Sequence, residues 1–129
     1  MSSTGIYYQG FNINLEKLLI YIRARIPKEE STLISEIDTM LILIPQNIFV
    51  PLKRFYKHVF VEYREEIMAE NESFFLGADY AIDSSIVSIL KKTYKNMKNE
   101  DKGFVKKKIK ALVNCIDKLI AYDSNHELL

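Results

Sequence analysis

Between Pro51 and Glu70 the apolar residues return every three or four positions: Leu52, Phe55, Tyr56, Val59, Phe60, Tyr63 and Ile67. That spacing puts them along one side of an α-helix, and no strand could bury them together. Prolines punctuate the chain around this segment. Pro51 suits a first helical turn, where its missing N–H costs nothing. Pro27 and Pro45 each disfavour a helical conformation at the residue before them, so they mark helix ends upstream. The first such helix should open at Asn14, a good N-cap, and carry Leu15, Leu18, Leu19, Ile22 and Ile26 inward. The next should run from Ser31 to Ile44 with Leu33, Ile34, Ile37, Met40, Leu41 and Ile44. Its MLILI run is apolar on nearly every side, which predicts a helix at the centre of the domain.

Downstream, Asp83 is a candidate N-cap for a helix with Ile86, Ile89, Leu90, Tyr94 and Met97 facing inward. Residues 96–103 (NMKNEDKG) read as a charged turn. A last helix follows with Val105, Ile109, Leu112, Val113, Ile116, Leu119 and Ile120. Strand-like alternation never lasts more than a few residues. The expected fold is all-α: a single compact bundle of about five helices, spanning residues 14–122. Short connections favour antiparallel packing of sequence neighbours. Residues 1–13 carry two glycines, no charge and no obvious helical period, so they read as an extended N-terminal arm. Residues 123–129 (DSNHELL) read as a frayed tail.

Composition narrows the function. The chain has 129 residues, 48% hydrophobic and 27% charged, enough to bury a core without disulfides or metal. Its one cysteine, Cys115, cannot form an internal bridge, so no oxidising compartment is required. No apolar run reaches the roughly 18–20 residues of a membrane span. No basic stretch followed by an apolar one opens the chain, so no secretory leader is expected. The expectation is a soluble intracellular protein, in the cytoplasm of its own or an infected host cell, or in a virion.

The chemistry-bearing residues are sparse. His58 and His126 are the only histidines, and Cys115 sits among core positions of the last helix. A Cys–His nucleophile would need Cys115 to meet His58 across the bundle. The phosphate-cradling glycine loop, the H-E-x-x-H pair, paired Cys-x-x-Cys and G-x-S-x-G are all missing from the sequence. Glu62, Glu66 and Glu70 stack on one helix face with Glu65 and Glu72 nearby. A carboxylate-bridged metal pair wants Glu-x-x-His contributions from several helices, so these glutamates read as a solvated face or as partners for lysines. Neither enzyme activity, metal nor cofactor is expected.

Charge is placed unevenly. Residues 1–90 balance to −4, residues 91–118 to +7 and residues 119–129 to −2. The basic sector comprises Lys91, Lys92, Lys95, Lys98, Lys102, Lys106, Lys107, Lys108 and Lys110. Such a stripe can contact nucleic acid or an acidic protein. It holds no arginine fork for phosphate or base recognition, and no aromatic interleaves KKKIK as a single-strand binder requires. Aromatic clusters give a different lead. Tyr7, Tyr8 and Phe11 in the arm, and Phe74, Phe75 and Leu76 before the fourth helix, fall outside the main stripes. They either cap the ends of the bundle or contact another protein.

The stretch FYKHVFVEYREEIMAENESFFLGADY, residues 55–80, resembles small all-helical proteins of large DNA viruses. It combines an aromatic-rich helix, an acidic helix end and an N-E-S-F-F-L turn. The resemblance covers about a fifth of the chain, contains no catalytic motif and assigns no functional residue. It implies a virus-encoded structural or accessory protein, such as a minor capsid component. Composition agrees with this: Ile, Lys, Asn and Tyr supply 47 residues against 17 from Ala, Gly, Pro and Arg, as expected of an AT-rich genome such as that of a low-GC bacterium, a parasite, or a large virus or phage. The leading expectation is therefore a non-enzymatic protein–protein interaction module, self- or hetero-assembling, with contacts at Tyr7, Tyr8, Phe11, Phe74 and Phe75. Removing residues 1–13 should then leave the helical signal intact and abolish association. The alternative is an accessory nucleic-acid-binding protein using the lysines of the last two helices.

Overall fold

The computed structural model describes residues 5–76 and 85–122, and all of their regular structure is helical. The chain forms α1 (Gly5–Arg23), α2 (Ser31–Leu43), α3 (Val50–Met68), α4 (Glu72–Leu76), α5 (Ser85–Thr93) and α6 (Asn99–Tyr122). Short 3₁₀ turns, Ile44–Gln46 and Tyr94–Asn96, extend α2 and α5. This is the all-α bundle read from the sequence, with α4 as a sixth, very short helix.

The periodic stripes are the core. Leu15, Leu18, Leu19 and Ile22 of α1 pack with Leu52, Phe55, Val59 and Ile67 of α3 and with Val105, Ile109, Leu112, Val113 and Ile116 of α6. α1 and α6 run antiparallel along most of their length. The Tyr7 ring lies 5.8 Å from that of Tyr122, and Tyr21 stacks on Phe104 at 3.8 Å. Between them, Lys108 Nζ donates to Asn14 Oδ1 at 3.3 Å. Arg64 ties α3 to α6 through a two-pronged contact with Asp117, at 3.0 and 2.8 Å.

Besides α4, read as a turn, and residues 99–103, read as part of a charged turn but helical as the start of α6, two segments differ from the sequence reading. There is no extended arm over the described part of residues 1–13: Gly5–Ile13 is the first half of α1, and Asn14 lies inside the helix. The inward stripe of Leu15, Leu18 and Ile22 continues backward through Phe11, one turn before Leu15, and Tyr8, two turns before it. Their burial offsets the poor helix propensity of the two glycines. The MLILI segment is the second. It is not central, because Ile42 and Leu43 are 62% and 55% exposed while only Ile44 is buried.

Within α3, residues Tyr56–Phe60 wind as a π-helical turn. Each π turn admits one extra residue and rotates the following stripe relative to the preceding one. Tyr56 and Phe60 thus stack at 5.4 Å, and both remain buried. α3 closes on Glu70, whose φ of 55° is left-handed. The Asn71 N–H reaches Glu66 O and the Glu70 N–H reaches Ile67 O, the paired bonds of a Schellman ending. Asn71 then caps α4, accepting from the Ser73 N–H at 3.0 Å. Asp83, expected to cap the fourth helix, and the tail at 123–129 lie outside the described residues.

Candidate protein interface

The aromatic residues expected to meet a partner are mostly engaged inside the domain. Phe11 is fully buried and packs edge-on to Phe55 at 5.4 Å. Tyr8 is 8% exposed, with its ring 4.9 Å from Phe49. Tyr7 is half-buried against Tyr122. Phe74 and Phe75 are buried, in contact with Tyr63 and Tyr94 at 5.7 and 5.6 Å. Tyr8, Phe11, Phe74 and Phe75 are thus packed into the domain, while Tyr7 stays partly exposed beside Tyr122. Leu76, at 39% exposed, is the outlying member.

The basic sector is divided by helical geometry. Lys106 and Lys110, one turn apart on α6, face the end of α3 and α4; Lys106 pairs with Glu72, and Lys110 with Glu70 at 3.1 Å. Part of the acidic face thus pairs with the lysines inside one molecule. Lys108 turns toward α1, Lys102 lies 5.2 Å over the Tyr94 ring, and Lys92 pairs with Glu36 at 3.2 Å. Lys91, Lys95, Lys98 and Lys107 are exposed. Lys91, Lys92 and Lys95 share a shallow cleft with Glu29 and Glu30, which moderates its positive charge.

Polar chemistry concentrates in structural ties. Asp101, almost buried on α6, accepts from Tyr21 O–H at 2.5 Å and pairs with Arg25 at 2.8 Å, while the Arg25 guanidinium lies 3.4 Å over the Tyr21 ring. The Tyr21 and Arg25 hydrogen bonds hold the Asp101 carboxyl below its ordinary range. Glu72 is likewise lowered, first by Lys106 and then by the Tyr94 hydroxyl that donates to it at 2.8 Å. Asp38 is lowered by Arg23. Tyr94, buried and bonded to Glu72, is pushed up to about 12, and Tyr21 is raised by its bond to Asp101.

Carboxylates lowered in the folded state contribute stability that is complete above their unfolded pKa and lost as pH falls through the folded one. Raised tyrosines contribute stability that is complete below about pH 10 and lost as pH rises through 10 toward 12. Urea midpoints should therefore be level near neutrality and fall below roughly pH 5. An Asp101→Asn variant should have a lower midpoint at pH 7 and a shallower fall in acid. An unchanged acid limb in that variant would mean that Asp101 does not contribute to it.

Cys115 faces α1, with its Sγ 3.8 Å from where a Cβ on Gly10 would stand. Burial pushes the Cys115 thiol up, opposite to the direction that activates a nucleophile. His58 lies on the π turn of α3, and His126 is outside the described residues. Among the described residues, no three His, Cys, Asp or Glu side chains converge as metal ligands.

What the sequence reading missed is apolar and exposed. Ile42, Leu43, Phe49 and Val50 are 62%, 55%, 44% and 41% exposed around the corner joining α2 to α3. Here the two helices bend by 119°, opening a cavity of about 120 Å³. Its buried lining includes Phe11, Leu15, Ile44 and Phe55; Leu43, Val50 and Arg54 stand exposed at its edge. Ile6, Ile13 and Ile20 form a second, narrower stripe on the outer side of α1, spaced by seven residues. The signal for both was present, since a run such as MLILI has more apolar sides than one core face can cover.

Among the described residues, no single helix is long and apolar enough to cross a membrane. Comparison with known proteins gives no significant match, whether to a family model, a curated protein or a solved structure.

Proposed function

We propose that this chain is a non-enzymatic protein–protein interaction module, a component of a larger assembly. The observation that carries the reading is the exposed corner of Ile42, Leu43, Phe49 and Val50. Scattered single hydrophobics are ordinary on protein surfaces, but Leu43 and Val50 share the rim of one concavity, with Ile42 and Phe49 next to them in sequence, and such a group marks a contact site. The aromatic contacts first expected at Tyr7, Tyr8, Phe11, Phe74 and Phe75 are engaged in packing, so the interface moves to this corner. Nucleic-acid binding is the weaker reading, because Lys92, Lys106 and Lys110 are held by carboxylates of the same molecule.

The test is affinity isolation from the native source, with and without nuclease, using wild type and an Ile42→Ser/Leu43→Ser variant. A protein partner at fixed ratio should survive nuclease and high salt with wild type and be lost with the variant. Both substitutions fall on exposed side chains, so the fold should hold, and circular dichroism checks this. Recovery that collapses on nuclease treatment would overturn the reading, and recovery that the variant leaves unchanged would overturn the corner as its interface.

A further inference from the structure

The corner between α2 and α3 also restricts what can bind there, an inference that rests on the interaction reading above. Its cavity of about 120 Å³ is small. Sites for small molecules and cofactors run to roughly 300–1,000 Å³, whereas a dry cavity of about 150 Å³ takes a group the size of benzene. The volume suits one large side chain presented by a bigger body. Leu43 and Val50 at the mouth, with Ile42 and Phe49 beside them, supply the apolar rim that such a body would cover.

Charge along the segment that turns this corner is one-sided. Residues 39–61 contain no Asp or Glu but include Lys53, Arg54 and Lys57. Three of the chain's four arginines are each paired to a carboxylate: Arg23 to Asp38, Arg25 to Asp101 and Arg64 to Asp117. The fourth, Arg54, lines the cavity, is exposed, and has no carboxylate partner among the described residues. A guanidinium is a rigid fork matched to carboxylate and is favoured at interfaces for that reason. An apolar socket beside an arginine with no carboxylate partner among the described residues asks for an apolar anchor with a carboxylate close by.

We infer that this corner seats an amphipathic helix of a protein partner, with one Leu- or Phe-sized side chain in the cavity and an Asp or Glu one helical turn away on Arg54. Spacing of three or four residues puts both groups on one helix face, as helix-in-groove recognition requires. No strand occurs among the described residues, so strand addition to a sheet edge has no template there. An anionic membrane would also welcome exposed apolar and cationic side chains, but a flat bilayer surface presents no single large side chain to fill the socket.

The full chain, immobilised, is used to select from a phage-displayed library of 16-residue helical peptides randomised along one face. Enriched sequences should share a large apolar residue with Asp or Glu three or four positions away. A synthetic peptide of that consensus should bind about tenfold or more weakly to Arg54→Glu, as expected for loss of a charge-assisted pair. Exchanging the peptide's acid for Lys should restore binding to that variant. Leu43→Arg, an exposed substitution that leaves the core alone, should abolish binding.

A consensus without an acid, or affinity indifferent to Arg54→Glu, would overturn the assignment of Arg54. Binding blocked by Ile13→Arg but not by Leu43→Arg would overturn the corner while leaving an interaction module in place. Flotation with phosphatidylcholine–phosphatidylserine vesicles, lost in Leu43→Arg and accompanied by no peptide selection, would overturn both readings in favour of a membrane surface.

Discussion

Deleting residues 1–13 should unfold the domain: far-ultraviolet circular dichroism should lose most of its helical signal, and the cooperative urea transition should vanish. The deleted stretch contains Tyr8, Phe11 and Asn12, all buried. Phe11 alone touches Phe55 and lines the cavity under α2 and α3. Truncating a buried Phe to Ala costs about 3–5 kcal/mol, against a total domain stability of about 5–15 kcal/mol. The deletion removes Tyr8 as well, together with the bond from Asn12 Nδ2 to Ile48 O at 3.0 Å that fixes the connection before α3. It also strips the C-terminal half of α6 of its helical neighbour. Phe11→Ala is the graded version and should lose about 3–5 kcal/mol in urea titration. Ile13→Ser, on a side chain 52% exposed, should stay within about 0.5 kcal/mol of wild type. A truncated chain that keeps a cooperative transition at the wild-type midpoint would restore the dispensable arm expected from composition.

That contrast shows how far the sequence could be read. Stripes of the type Leu15–Leu18–Leu19–Ile22 and Val105–Ile109–Leu112–Ile116 were legible because burial on one helix face leaves a 3.6-residue period. The same period runs back through Phe11 and Tyr8. Two glycines and the absence of charge masked it, because propensity is a weak prior that packing overrides. In the KKKIK block the difficulty is rotation. Adjacent residues on a helix are about a quarter-turn apart, so Lys106, Lys107 and Lys108 point to α4, to solvent and to α1 respectively. A linear count of charge cannot show that division. The MLILI run was ambiguous in another way. Apolar residues on every side of a helix fit both a central helix and a helix with a second apolar face, and only the placement of α3 decides. The candidate interface was thus the least legible part, for it lies where burial and binding leave the same trace in sequence.

The second large effect is expected at Phe75, in the short helix α4 that reads as a turn in the sequence. Five residues are too few for a helix to hold itself, because nucleation is unfavourable and hardly any intrahelical bonds follow. α4 persists through its side chains. Phe75 is fully buried, stacks on Tyr94 at 5.6 Å and meets Phe74 edge-on at 5.2 Å. Tyr94 in turn donates to Glu72 at the start of α4, and Glu72 pairs with Lys106. Phe75→Ala should therefore cost about 3–5 kcal/mol in urea titration, through lost apolar burial and the cavity left behind. Tyr94→Phe keeps the ring and should cost less, about 1.5–3 kcal/mol, the worth of one hydrogen bond to a charged group. The two should not add, since Phe75→Ala loosens α4 and with it the position of Glu72. The Tyr94→Phe penalty should shrink in the Phe75→Ala background. Leu76→Ala, on a side chain 39% exposed, serves as the control, with an expected loss below that of Phe75→Ala. A Phe75→Ala protein within about 1 kcal/mol of wild type would mean that the ring is not held by the core, and would return Phe74 and Phe75 to the surface as contacts for a partner.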